Sequence, residues 1–382
     1  MIRRTGPVRP DWERTIEEQG LGFHRYVAQG DDGRPYWDES AYYSFTMAEV
    51  LGLEDTVTEL HRMCLNAVDH VVREGRFGDY GIPERWWEPI AESWRRRDRH
   101  LYGRFDLCYD GRSPAKLLEY NADTPTSLVE SAVVQWFWKE DTHPRADQWN
   151  SLHEALIDRW RELLPSGGLL HLAYSGADET GEDALTVGYM ADVAAQAGLE
   201  VELLTMEDIG SDGHAFYDLA ERRIEGLFKL YPWEWIVREP FGPLAVARQP
   251  KEPWVEPLWK MLLSNKALLA ILWELYPGHP NLLPAYFDGP REMTAYAVKP
   301  LLGREGASMR LVQPHEVVET PGGYGAEGHV FQQLCPLPDF DGWRPVLGAW
   351  VVGDEPAGLG IRETRGLITG DTASFVPHLI ED

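Results

Sequence analysis

The sequence predicts an α/β protein that becomes α+β in character toward its C-terminus, and three patterns carry that prediction. Between residues 151 and 240 helical and strand-like segments alternate, as in a layer of parallel strands covered by helices. Residues 11–100 read mainly as helix. Beyond residue 290 short strands separated by glycine-containing turns follow one another, which points to an antiparallel sheet.

Taken in order, Trp12–Gln19, Met47–Glu74 and Trp86–Arg97 place apolar residues at helical spacing. The chain then runs into a strand ending at Leu107, and residues 115–121 (AKLLEYN) form the next. Residues 127–140 (SLVESAVVQWFWKE) read as an amphipathic helix with Thr126 or Ser127 as its cap and Glu130 in its first turn. Helix 151–163 precedes strand 168–176, and helix 181–197 precedes strand 199–206. A further helix leads to strand 226–237, and residues 254–276 read as a helical stretch. There is no internal repeat and no low-complexity segment.

The 382 residues are 43% hydrophobic and include 16 Trp, enough for a large core; only the first ten residues have a composition compatible with disorder. A formal charge of −26 argues against general nucleic-acid binding and against docking on anionic membranes, since both need a basic face. Three widely spaced cysteines, Cys64, Cys108 and Cys335, make neither a disulfide framework nor a zinc knuckle. With no apolar leader pattern and no 18-residue apolar run, a soluble cytoplasmic protein is expected. Of the 36 basic residues only seven are lysines, at 116, 139, 229, 251, 260, 266 and 299, and lysines kept against such a bias are candidates for a specific role.

Five stretches could carry chemistry. In the first, strand alternation puts Arg104 and Asp106 on one face, and Glu119 and Asn121 on one face of the neighbouring strand. Two carboxylates and an amide oxygen are hard donors suited to Mg²⁺, and an adjacent arginine can meet charge developing on a phosphoryl or acyl oxygen. A surface ion pair beside an Asx-turn is the alternative. Residues 299–309 (KPLLGREGASM) follow a lysine with Gly303-Arg304-Glu305-Gly306, whose backbone amides could cradle phosphates or could simply turn a hairpin.

Lys266, among apolar neighbours, either snorkels or meets an anion. Arg362 and Glu363 close a glycine-rich strand within residues 348–379. Asp178, Glu179, Glu182 and Asp183 cluster between a strand and a helix; they suit the helix dipole and equally a cationic amine. The paired tryptophans of 231–235 (YPWEW) are packing residues or an aromatic wall for an aminoalkyl chain. Neither H-E-x-x-H nor G-x-S-x-G occurs, which argues against hydrolase chemistry of those types.

In this order, RFD, LEYNADTPTSLVE, LYPWEW, EPLWKMLLSNKALL, KPLLGREGAS, QQLCPLP, GAWVVGDEPAGLGIRE and FVPH resemble the synthetase domain of the glutathionylspermidine synthase family. The resemblance runs from about residue 30 to the C-terminus. It implies an ATP-grasp ligase fold with a pre-ATP-grasp-like α/β layer and an N-terminal helical segment. Residues 1–250 would carry the helices, the substrate region and the RFD and EYN motifs, and 251–382 the nucleotide-binding region. It implies ATP and Mg²⁺, with Asp106, Glu119 and Asn121 holding the metal and Arg104 and Arg362 acting at the transferring group. Asp106, Lys266, Lys299, Gly303, Arg304, Glu305, Gly306, Gln332, Gln333, Leu334, Cys335, Leu367, Ile368 and Thr369 would join the two arginines around the nucleotide.

Asp123 and Thr126 would shape the acid pocket, and Glu182 and Asp183 would meet the amine. The implied reaction joins a small carboxylic acid or peptide to an amine, a polyamine among the candidates, through an acyl phosphate. In the glutathione-using members the stretch after EYN is serine-rich and carries a cysteine; here it reads Thr124-Pro125-Thr126-Ser127, which leaves the acid open. Only about a hundred residues precede RFD and they read as helices, so amidase activity is not expected. A non-catalytic ATP- or polyamine-binding protein, and an ATP-grasp enzyme with a different nucleophile, are the competing readings.

Overall fold

A computed structural model of the protein describes residues 1–25, 33–370 and 373–381. The chain opens with strand β1 (Ile2–Thr5), where the composition allowed disorder, and helix α1 (Trp12–Glu18). Strand β2 (Ala41–Phe45) pairs antiparallel with β1. It leads into the long helix α2 (Met47–Glu74), capped at both ends. Thr46 accepts from the Glu49 N–H while Glu49 reaches back to the Thr46 N–H, and Gly75 stops the helix at φ 70°. The buried face of α2 runs through Val50, Leu53, Val57, Leu60, Cys64, Val68 and Val71, the three-and-four spacing on which its prediction rested. Helix α3 (Trp87–Arg95) follows.

Strands β3 (Tyr102–Cys108) and β4 (Lys116–Asn121) come next. A π-helical turn, Glu130–Val134, continues into helix α4 (Gln135–Thr142). Ser127 does not cap this segment; it sits at φ 69°, a left-handed conformation rare for a residue with a side chain.

The alternating part supplies α5 (Leu152–Leu163), β5 (Leu169–Tyr174), α6 (Glu182–Gln196) and β6 (Glu200–Thr205). Where a further helix was expected, the chain forms a short hairpin, β7 (Gly210–Ser211) and β8 (Phe216–Tyr217). Asp212 turns it by accepting from the His214 and Ala215 N–H groups, each at 2.8 Å. The strand expected over 226–237 is only β9 (Leu227–Leu230). Pro232 cannot continue the ladder, and Trp233–Ile236 is a helical turn, α7. Helix α8 (Gly242–Arg248) and strand β10 (Trp254–Val255) complete a four-stranded parallel sheet in the order β10-β9-β5-β6.

The expected helix 254–276 is therefore broken. It begins as β10, continues as α9 (Met261–Ser264), and restarts as α10 (Ala267–Leu275) after Asn265 takes an extended ψ of 134°. The Asn265 amide oxygen accepts from the Ala267 N–H at 2.9 Å, so the polar side chain competes with the helix for its own backbone.

The remaining strands are β11 (Ala285–Tyr286), β12 (Tyr296–Pro300), β13 (Arg310–Gln313), β14 (Glu316–Glu319) and β15 (His329–Gln333), then β16 (Arg344–Val352), β17 (Glu355–Thr364), β18 (Ser374–Val376) and β19 (His378–Ile380). Antiparallel pairing gives one five-stranded sheet, β11-β15-β12-β13-β14, as the glycine-punctuated sequence predicted. A second antiparallel sheet, β18-β17-β16-β3-β4, draws strands from both sides of residue 250. Strand β19 joins β2 in parallel. Of the stretch 348–379, residues 371 and 372 lie outside the described residues. No described helix is long and apolar enough to cross a membrane.

Strand β3 is buried at every position, and the face it shares with β4 is closely packed. Phe105 stacks on Tyr120 with ring centroids 3.8 Å apart. Gly103 makes room for that ring, since a Cβ there would stand 2.8 Å from Tyr120 Cε2. Gly103→Ala is expected to lower stability by roughly 1–3 kcal/mol, the ordinary cost of overpacking a core. A urea-unfolding midpoint equal to the parent's would contradict this packing argument.

Candidate active site

Alternation along β3 and β4, with the register between them, builds the centre of the site. Arg104 lies opposite Asn121, and Asp106 opposite Glu119, so four polar side chains share one face while Phe105 and Tyr120 fill the core behind them. Arg104 Nε donates to Asp106 Oδ1 at 2.9 Å, and Arg362, reaching across from β17, donates to Asp106 Oδ2 at 2.8 Å. The Asn121 amide donates to Glu119 Oε1 at 3.1 Å, which leaves its own oxygen facing outward as an acceptor. Burial alone would raise the Glu119 carboxyl. Lys266 and Lys299 outweigh that and hold it well below the usual carboxylate range.

This face forms part of a cavity of about 400 Å³ between the two five-stranded sheets and the ends of the parallel layer. Lys299 stands on its floor, donates to the Leu118 carbonyl at 2.9 Å, and is pushed down to about 8 by burial, against the pull of Glu119. Gly303, Arg304, Glu305 and Gly306 form one rim, and Leu367, Ile368 and Thr369 lie against them. Gly306 has to be glycine here. Its φ is 70°, and a Cβ would meet Ile368 Cγ2 at 2.8 Å. Gln332, Gln333, Leu334 and Cys335 form the opposite edge, where the chain passes from one antiparallel sheet to the other; Gln332 is fixed by its donation to the Leu117 carbonyl at 3.1 Å.

A second wall is acidic. Thr126, Glu182 and Asp183 line it, and Thr126 hydrogen-bonds the Glu182 carboxylate. Burial raises the Glu182 carboxyl, and burial together with Asp178 and Glu182 pushes Asp183 up to about 7. Behind them Glu130, buried, accepts from the Tyr36 hydroxyl at 2.5 Å; burial and the nearby Glu182 push it up to about 7.

The cavity thus brings together every residue that the family resemblance implied for the site except two; Asp178, Glu179 and Glu363 of the candidate stretches do not line it. Lys266 stands behind the wall, its Nζ 3.0 Å from Glu119 Oε2 and donating to the Gly303 carbonyl at 2.6 Å, so it ties the carboxylate patch to the glycine loop. Asp123 faces away from the cavity. Its carboxylate, fully buried, accepts from Lys229 Nζ at 2.6 Å and from the Trp233 N–H at 2.8 Å. The structure therefore makes Asp123 an anchor between β4 and α7 rather than a group exposed to a substrate.

The cavity also contains Glu234, which the sequence did not single out. Arg304 donates to Glu234 Oε1 at 2.8 Å and to Thr124 Oγ1 at 3.0 Å, with its guanidinium 5.5 Å from the Trp235 ring. Pro232, which ends β9, was the signal that Glu234 and Trp235 sit on a turn at the strand's C-terminal end, where α/β layers present functional groups.

Asp106, Glu119 and the Asn121 amide oxygen suit a hard divalent cation such as Mg²⁺. Among the described residues no three His, Cys, Asp or Glu side chains form a metal-binding group, so the amide is an essential part of that donor set. Arg104, Arg362, Lys299 and Arg304 around the same cavity supply positive charge of the kind a polyphosphate needs.

The sequence profile described as "Glutathionylspermidine synthase preATP-grasp" matches residues 3–381. A Haemophilus influenzae protein described as "Putative acid--amine ligase" is 43% identical over 394 residues, covering 99% of both chains. Trypanothione synthetase of Crithidia fasciculata is 28% identical over 83% of this chain and 53% of its own length. The bifunctional glutathionylspermidine synthetase/amidase of Escherichia coli is 28% identical over 90% of this chain and 60% of its own. The chain therefore spans little more than half of those two relatives. Among solved structures, a glutathione synthetase-like effector from Globodera pallida shares the fold, with a TM-score of 0.55 over 98% of this chain and 100% of that one at 10% identity.

Proposed function

Since this chain belongs to the glutathionylspermidine synthase family, we propose that it is an ATP- and Mg²⁺-dependent ligase joining a carboxylic acid, small molecule or peptide, to an amine. The observation that carries this reading is the convergence of Arg104, Arg362, Lys299 and Arg304 on a cavity whose floor holds Asp106, Glu119 and Asn121. Asp106, Glu119 and Asn121 would hold Mg²⁺, which when bound neutralises phosphate charge.

Arg104 and Arg362, both fixed by Asp106, point positive charge at the group transferred from ATP to the acid, and are preorganised for it. Lys299 and Arg304 hold the phosphates. The 303–306 loop, lying on 367–369, excludes water from the acyl phosphate formed. The acidic wall of Glu182 and Asp183 receives a cationic amine, and a polyamine matches its several raised carboxyls best. The amine then displaces phosphate, giving the amide, inorganic phosphate and ADP. A cytoplasmic setting, where ATP and Mg²⁺ are abundant, goes with this reading.

ADP release tests it, measured while candidate acids and amines are added singly and in pairs. The reading expects release that needs an acid and grows with an amine, and a hydroxamate when hydroxylamine replaces the amine. Nucleotide binding with no ADP from any pair would overturn it in favour of a non-catalytic binding protein.

The depressed Lys299 gives a pH prediction. Nucleotide affinity is expected to fall above about pH 8, by up to about tenfold per unit, as the lysine loses its proton and its charge. Its effect on folding has the opposite sign. Between about 8 and the ordinary lysine value the unfolded chain holds the proton that the folded chain has released, so stability rises with pH there. Lys299→Arg keeps its charge, and its affinity is expected to stay level between pH 8 and 10. A similar decline in that variant would remove Lys299 as the cause.

A further inference from the structure

Two of the three cysteines, 227 positions apart in numbering and distant in the sequence pattern, meet at the edge of the cavity. Cys108 is the last residue of β3, two positions beyond Asp106, and is buried. Cys335 is half-buried, lines the cavity, and lies on the connection from β15 in one five-stranded sheet to β16 in the other. The Cys108 thiol donates to the carbonyl of Pro336, the residue next to Cys335, at 3.6 Å, and the two thiols lie close enough to influence each other's ionisation. No other thiol is near: Cys64 is sealed inside the face of α2.

The surroundings separate the roles of the two sulfurs. Cys335 is held below the ordinary thiol range by the Cys108 S–H, with Lys116 and Lys299 adding to the effect against burial. The accessible member of the pair is therefore the sulfur a solvent oxidant can reach, and its buried neighbour lies beside it.

We propose that Cys108 and Cys335 are an oxidation-sensitive dithiol that closes to a disulfide with a hydroperoxide as oxidant and thereby weakens nucleotide binding in the adjoining cavity. The Cys335 thiolate attacks the peroxide O–O bond, taking one oxygen as a sulfenic acid and releasing hydroxide or alkoxide, which is protonated. The Cys108 sulfur, losing its proton, then displaces the sulfenic oxygen as water. Two thiols are oxidised by two electrons in total and one peroxide is reduced. The bond ties the end of β3 to the connection between the two sheets that form the cavity, so the sheets can no longer adjust around a ligand. A dithiol reductant reverses it. The gating half of this inference rests on the nucleotide reading of the cavity, whereas the cross-link does not.

The full-length protein, reduced and then treated with one equivalent of hydrogen peroxide, is alkylated, digested and weighed, and Mg-ATP is titrated calorimetrically before and after. The expected results are a Cys108–Cys335 cross-linked peptide, an alkylatable Cys64 after unfolding, and at least a tenfold loss of affinity that dithiothreitol restores. Cys108→Ser, which removes the resolving sulfur, is expected to bind Mg-ATP and to give no cross-link. Over-oxidation of Cys335 without a cross-link would overturn the pairing, and a cross-link with unchanged affinity would overturn the gating. If the reduced protein fails to bind Mg-ATP at all, the nucleotide reading and the gating both fall, and the peptide masses alone decide the pairing.

Discussion

Glu119→Ala is expected to lower turnover by on the order of 10²–10³-fold, comparable with losing one preorganised group at a charge-developing centre. Glu119 organises three neighbouring side chains of the site. Its carboxylate accepts from Asn121, pairs with Lys266 at 3.0 Å, and offsets the desolvation of Lys299. Removing it takes away one proposed metal donor and leaves two lysines facing each other with Asp106 as the nearest remaining acid.

The isosteric Glu119→Gln separates these effects. It keeps shape and a donor oxygen but loses the charge, so nucleotide without metal should bind at least as well while turnover at saturating Mg²⁺ stays low. Steady-state ADP release at several Mg²⁺ concentrations reads this directly. Unchanged turnover and unchanged nucleotide affinity in Glu119→Ala would remove Glu119 from the metal site.

The second large effect is on stability. Asp123→Ala is expected to cost roughly 3–5 kcal/mol, because it leaves the Lys229 ammonium fully buried without its counter-charge. It also frees the Trp233 N–H and loosens α7, which carries Glu234 toward Arg304. Denaturant midpoints give the loss. An apolar pair, Asp123→Leu with Lys229→Met, should recover much of it, since a buried ion pair replaced by apolar groups of similar volume is close to neutral. A loss no greater for Asp123→Ala than for this pair would show that the desolvated charge is not the cause.

Much of the site could be read from period-two alternation. Arg104 and Asp106, or Glu119 and Asn121, must share a face if their segments are strands, and the cross-strand pairs 104↔121 and 106↔119 follow once the two segments are neighbours. The register itself could not be read, because the seven residues between the strands form a loop of unspecified geometry and β3 carries an irregularity after Asp106. Glycines at 303 and 306 were legible as a special turn, though not that residues 367–369 would be the surface it lies on.

The misreadings share a cause. Asp123 resembles its neighbours in the acidic stretch, and only a lysine 106 positions away decides that it points inward. Residues 226–237 are apolar enough for a strand throughout, yet Pro232 outranks hydrophobicity there. The broken helix at 265 turns on one side-chain hydrogen bond. Each is a local pattern overruled by a contact that the local pattern does not contain.

The central claim is that the acid is activated by phosphoryl transfer before the amine arrives. The most direct measurement supplies, with both carboxylate oxygens labelled with ¹⁸O, an acid that supports ADP release, and then examines the inorganic phosphate by mass spectrometry. Activation through an acyl phosphate predicts phosphate carrying one ¹⁸O atom per turnover. Unlabelled phosphate accompanying full amide formation would contradict it.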